Sequence, residues 1–177
     1  GMGAVSAPGP RLRGEVVAPP TGAAAEAPAE RQGALLEALR AMSTEGAVLE
    51  GSRVFFAFED LNGDGGHEAV VHLAGPAFCG TGGCTTMVYQ WDPKAGGYVK
   101  IDHSPATRPP IYASRREGCR WSMLWVQRSG GGGATELHSP NPLSEVDACE
   151  APVGPWGEAE STLLIPAYGP RTEGRAL

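Results

Sequence analysis

Hydrophobic and polar positions divide the chain into three stretches. Over residues 1 to 27 large apolar side chains are sparse, and Ala, Gly and Pro dominate, as in "GAVSAPGP" and "APPTGAAAEAPAE". That composition buries too little apolar surface to order a segment on its own, and a flexible tail is expected. Within it, "RLRGEVVAP" can still lay a short strand on a neighbour. From Pro28 the period changes. Leu35, Leu39 and Met42 recur at i, i+4 and i+7, with Leu36 beside them and Glu30, Arg31, Glu37 and Arg40 elsewhere. The spacing predicts one amphipathic helix over 28 to 43, with Pro28 in its first turn, where a missing N–H costs nothing.

After Gly51 the period becomes that of strands, predicted at 53–59, 68–73, 85–91, 97–102, 110–115, 120–128, 134–138 and 161–165. Turn residues separate them: "NGDGG", "GPAFCGTGG", "DPKAGG", "SPATRPP", "REG" and "SGGGG". Short links between successive strands favour an antiparallel meander. The fold class expected is therefore α+β, an antiparallel sheet with one N-terminal amphipathic helix packed on it. A single domain over 28 to 168 is expected, with tails at 1 to 27 and 169 to 177. No repeat of fixed period points to a propeller or solenoid. Trp121, Met123 and Trp125 alternate with Ser122, Leu124 and Val126, which predicts a core strand turned toward the helix. The alternative is an exposed aromatic platform for a carbohydrate or protein.

Composition narrows the compartment and the partners. A chain of 177 residues with 41% hydrophobic content suits one domain with a real core. Its net charge of -6 argues against nucleic acid or anionic lipid as a partner. Arg115, Arg116 and Arg120 read as an ordinary solvated cluster. No run of about 18 apolar residues offers a transmembrane helix. "GMG" at the start resembles an expression scar, and a signal peptide is expected to have been removed upstream. Cys79 and Cys84 enclose only Gly-Thr-Gly-Gly, a loop able to bring two Cα atoms within disulfide range. Cys119 and Cys149 are left to pair with each other. Two disulfides imply an oxidising compartment, hence a periplasmic, secreted or lipid-anchored protein.

Several catalytic motifs fail on spacing. "HEAVVH" misses the zinc-protease pattern, because His67 and His72 are five residues apart and share no helix face, while a strand turns them to opposite sides. "SGGGGA" is followed by neither Lys-Ser/Thr nor a helix. Ser52 in "EGSRV" lacks the second glycine of a nucleophile elbow.

The stretch "DLNGDGGHE" is the specific one. Asp60, Asn62 and Asp64 fall at positions 1, 3 and 5 of a calcium-type loop. Gly65 follows at position 6, where the chain turns sharply, and Gly66 offers its carbonyl at position 7. Glu68 stands at position 9, so about six hard oxygen ligands can be supplied with water. An EF-hand would place Glu at position 12, where this chain has Val71, and the flanks "RVFFAF" and "AVVHL" are strands. The expectation is a calcium loop inside a β-hairpin. "NGDG" also makes a good hairpin turn without any metal.

"DLNGDGGHEAVV" resembles the calcium loops of FG-GAP and VCBS-type β proteins. The longer "DLNGDGGHEAVVHLAGPAFCGTGGCTTMVY", with "RPPIYA", "GGGG" and "SPNP" after it, is similar to a family of uncharacterised exported bacterial proteins. The resemblance covers about 50 to 145 and implies calcium binding and export, with no known activity; Cys119 and Cys149 lie outside its pattern. Together these features predict an exported, disulfide-bonded, non-enzymatic domain, with a binding module for an unidentified protein or cell-envelope partner as the role expected of it. The alternatives are an inhibitor of a secreted enzyme such as a lysozyme, and a hydrolase with a site assembled across strands.

Overall fold

Leu35 and Leu39, at the centre of the apolar stripe, are fully buried, and the helix that carries them is α1 (Ala29–Thr44). The computed structural model describes residues 16–17, 29–44, 52–115, 119–127, 135–138 and 161–167. Among the described residues there are nine strands: β1 (Val16–Val17), β2 (Arg53–Glu59), β3 (Glu68–Ala74), β4 (Cys79–Gly80), β5 (Gly83–Asp92), β6 (Gly97–Ser114), β7 (Met123–Gln127), β8 (Thr135–His138) and β9 (Thr162–Ile165). They run in the order β1-β2-β3-β5-β6-β7-β8, with β4 paired to β5 and β9 to β6. All pairs are antiparallel except β1 with β2, where Val16 and Val17 lie parallel to Val54 and Phe55. Most of the fold is thus antiparallel sheet with one helix, as the periodicity predicts. Part of the segment expected as tail contributes a strand.

Alternation along β2 explains the layering. Val54, Phe56 and Phe58 pack with Leu35, Leu39, Val71, Leu73 and Met87 in a core beneath the helix. Phe55 and Ala57 point the other way, into a second core with Val70, Val88, Ile111, Leu124, Val126, Leu164 and Ile165. One half of the sheet therefore lies between α1 and the other half. This is why "VFFAF" and "AVVHLA" are apolar on both faces: every position of β3 is buried. Each large side chain so covered contributes roughly 1.5–3 kcal/mol of burial.

Strand β6 makes the fold-over. It was expected as two strands, 97–102 and 110–115, with "SPATRPP" a turn between them; it is one 18-residue strand. Its first part pairs with β5 as far as Ser104 and again at Thr107. Its end runs between β7 and β9, where Tyr112 pairs with both Trp125 and Leu163. Pro105 and Ala106 fall in a register shift, with Ala106 at φ 60, and Pro109 and Pro110 fall in the next shift, between Arg108 and Tyr112. Prolines tolerated at bulges need no ladder N–H, so turn-like composition here bends a strand without ending it.

The aromatic segment lies in the core as expected, though not against the helix. Trp121 precedes β7 and packs with Leu124 and Val126 in the second core, on the side of the sheet away from α1. Ser122, Met123, Leu124, Trp125 and Val126 are all buried, so alternation carries no inside–outside signal there. The indole Nε1–H of Trp125 donates to Ser114 Oγ at 2.9 Å.

Candidate functional site

Strands β2 and β3 pair from Arg53–Ala74 to Glu59–Glu68, and the loop 60–67 closes them. The last pair sets two carboxylates directly opposite, an unfavourable cross-strand contact unless something neutralises it. Burial pushes the Glu59 carboxyl up, and Asp60 beside it pushes the same way, while Arg115 pulls it down. Glu68 is buried, and loss of water raises its carboxyl to about 7; the charges of Asp64 and Asp60 add to the rise, and backbone N–H groups of Leu61 and Asn62 oppose it.

The loop is wrapped around its acidic side chains. Asp60 Oδ1 accepts the N–H of Gly63 at 2.8 Å and of Asp64 at 3.2 Å, and its Oδ2 accepts Gly65 at 3.0 Å. Asn62 Oδ1 accepts Asp64 N–H at 3.2 Å, and Asp64 Oδ1 accepts Gly66 N–H at 2.7 Å. Glu68 Oε1 reaches back to Leu61 N–H at 2.7 Å. Gly63 and Gly65, at φ 75 and 89, make these turns in a conformation L side chains rarely adopt.

The predicted site residues of the loop therefore lie together at the β2–β3 end, with Glu68 the first residue of β3. Two backbone N–H groups fill Asp60 Oδ1, whereas Asp60 Oδ2, Asn62 Oδ1 and Asp64 Oδ1 each keep a lone pair. An oxygen-only set with three carboxylates suits a hard cation such as calcium. Among the described residues, however, no three His, Cys, Asp or Glu side chains are gathered as a ready metal cluster. An ion here would draw on the Asn62 amide oxygen and the Gly66 carbonyl as well as on the acids.

Residues that the sequence did not assign to the loop anchor this turn, among them Arg115, which was expected only as part of a solvated cluster. Leu61 sits between Asp60 and Asn62 yet is fully buried in the second core. Its carbonyl accepts Ser122 N–H at 2.6 Å and Arg115 Nη1–H at 3.3 Å. The guanidinium lies over Gly63, where any Cβ would collide with it. At the far end, Tyr98 O–H donates to the His67 carbonyl at 3.2 Å. An apolar residue inside a polar loop was the local signal for Leu61; Arg115 lies too far along the chain to give one.

The cysteine loop forms a second end of the sheet. Cys79 and Cys84 face each other in the β4–β5 pair and are joined by a disulfide, Cα to Cα 4.0 Å. Cys119 is also disulfide-bonded, and Cys149, its expected partner, lies outside the described residues. So do Arg116 and the glycine run 130–133.

The two histidines go separate ways. His67 precedes β3, whereas His72 is fully buried within it, its Nδ1 2.8 Å from Thr86 Oγ1. Thr86 in turn lies 2.7 Å from Thr107 Oγ1, which donates to the Cys84 carbonyl at 2.7 Å. Burial holds the His72 imidazole down at about 4. No described helix is long and apolar enough to cross a membrane.

Comparison with protein-family models, with curated proteins and with solved structures gives no match to this chain.

Proposed function

We propose that residues 60 to 68 are a calcium-binding loop, and that the chain is an exported, non-enzymatic domain whose β2–β3 end this ion stabilises. Asp60, Asn62, Asp64 and Glu68 supply side-chain oxygens, and Gly66 supplies a carbonyl. The observation that carries the reading is the loop's shape. Its amides at Gly63, Asp64, Gly65 and Gly66 fold around acidic side chains while Glu68 reaches back from β3 to Leu61 N–H. A divalent ion offsets the mutual repulsion of Asp60, Asp64 and Glu68. Without a bidentate Glu at position 12, the affinity belongs with extracellular modules, at about 10⁻⁴–10⁻³ M.

An oxidising compartment belongs to the same proposal, supported by the Cys79–Cys84 disulfide and the bonded state of Cys119. A role as a binding module for a protein or cell-envelope partner completes it.

Thermal melts in calcium and in chelator test the reading. Binding to the folded state alone raises Tm, by mass action, as calcium passes the dissociation constant. The rise is expected in the wild type and absent in Asp64→Ala. Equal Tm in calcium and chelator would leave 60–68 a metal-free turn.

A further inference from the structure

Three carboxylates in one turn call for positive charge, and the chain itself brings some. Arg115 follows the end of β6 and reaches across to the loop, where its guanidinium lies over Gly63 and Nη1–H donates to the Leu61 carbonyl at 3.3 Å. The glycine at 63 serves this approach as well as the turn: a side chain there would occupy the same space.

We propose that Arg115 is the resident counter-cation of the 60–68 loop, so that it stabilises the metal-free turn and weakens the loop's hold on calcium. This rests on the calcium reading above and adds the residue that tunes it. The alternative role, a pin that shapes the loop for the ion, is the weaker one. Ser122 N–H already holds the Leu61 carbonyl at 2.6 Å, against 3.3 Å for Arg115. What Arg115 adds to that carbonyl is mainly charge. Calcium entering the loop meets a like charge nearby, and the repulsion must be overcome each time it binds. Because Arg115 is exposed, water and salt screen its effect.

Calorimetric titration of calcium chloride into the wild type, Arg115→Gln and Arg115→Lys, at low and at high sodium chloride, tests this. Arg115→Gln is expected to bind calcium about three- to tenfold more tightly at low salt, from the Coulomb interaction of one exposed charge with a divalent ion. Arg115→Lys keeps the charge and stays near the wild type, and high salt shrinks the difference. The metal-free Arg115→Gln protein is expected to melt below the wild type. Equal or weaker binding by Arg115→Gln, with the wild type binding normally, overturns this inference and leaves the calcium reading standing. No binding heat in any of the three proteins overturns both.

Discussion

Leu61 shows how one side chain ties the loop to the interior. It alternates with Asp60 and Asn62, so their polar groups stay at the surface while its own side chain enters the core between the sheet halves. Its N–H and carbonyl are both taken, by Glu68 and by Ser122 with Arg115. Leu61→Ala is expected to cost about 2–5 kcal/mol in denaturant unfolding, as truncations of fully buried leucines do. A near-neutral change would mean that the loop is not anchored through this residue.

His72 is the other residue with a measurable signature. Its imidazole titrates near 4 in the fold against an ordinary 6.5, so below pH 6.5 the unfolded chain binds a proton that the folded one refuses. Stability from this group is complete above about pH 7 and falls as pH drops toward 4, by about 3 kcal/mol in all. Glu68 runs the opposite way. Its carboxyl is raised from 4.5 to about 7, so its contribution is complete below 4.5 and lost as pH rises through 7 when calcium is absent. Between these limits the two slopes oppose each other. Unfolding in chelator from pH 4 to 8 should therefore show a shallow profile in the wild type. Glu68→Gln is expected to expose the acid-side loss due to His72, and His72→Asn the alkaline-side loss due to Glu68. Parallel profiles for all three proteins would contradict both assignments.

Among the elements, those set by local pattern were legible. The Leu35–Leu39 stripe gave α1, and the runs "RVFFAF" and "EAVVHLA" gave β2 and β3 with the turn between them. Strand β6 was not, because Pro105, Pro109 and Pro110 read as turn residues, whereas they sit where the ladder is already interrupted. The tight crossing of the cysteine loop over β6 was equally hidden. Gly83, at φ 132, lies so close to Thr107 that a Cβ would strike its backbone carbonyl. Gly83→Ala is expected to destabilise by about 1–3 kcal/mol through strain and displacement, read as a lower denaturant midpoint. An unchanged midpoint would mean that β5 and β6 separate there at little cost.

Over the whole molecule, apolar residues on both faces of β2 and β3 are the trace of a sheet covered by a helix on one side and by its own far half on the other. That trace was in the sequence; the fold-over itself came from bulges that no periodicity marks. The same split applies to the candidate site. Asp60, Asn62, Asp64, Gly66 and Glu68 were legible because the loop is contiguous, while Arg115 and Ser122 arrive only when β6 and the Trp121 segment fold against it. The central claim is that this loop binds calcium. Calorimetric titration of the wild type tests it most directly. One site is expected, with a dissociation constant of about 10⁻⁴–10⁻³ M, abolished in Asp60→Ala. A wild-type titration with no binding heat up to several millimolar calcium would contradict the claim.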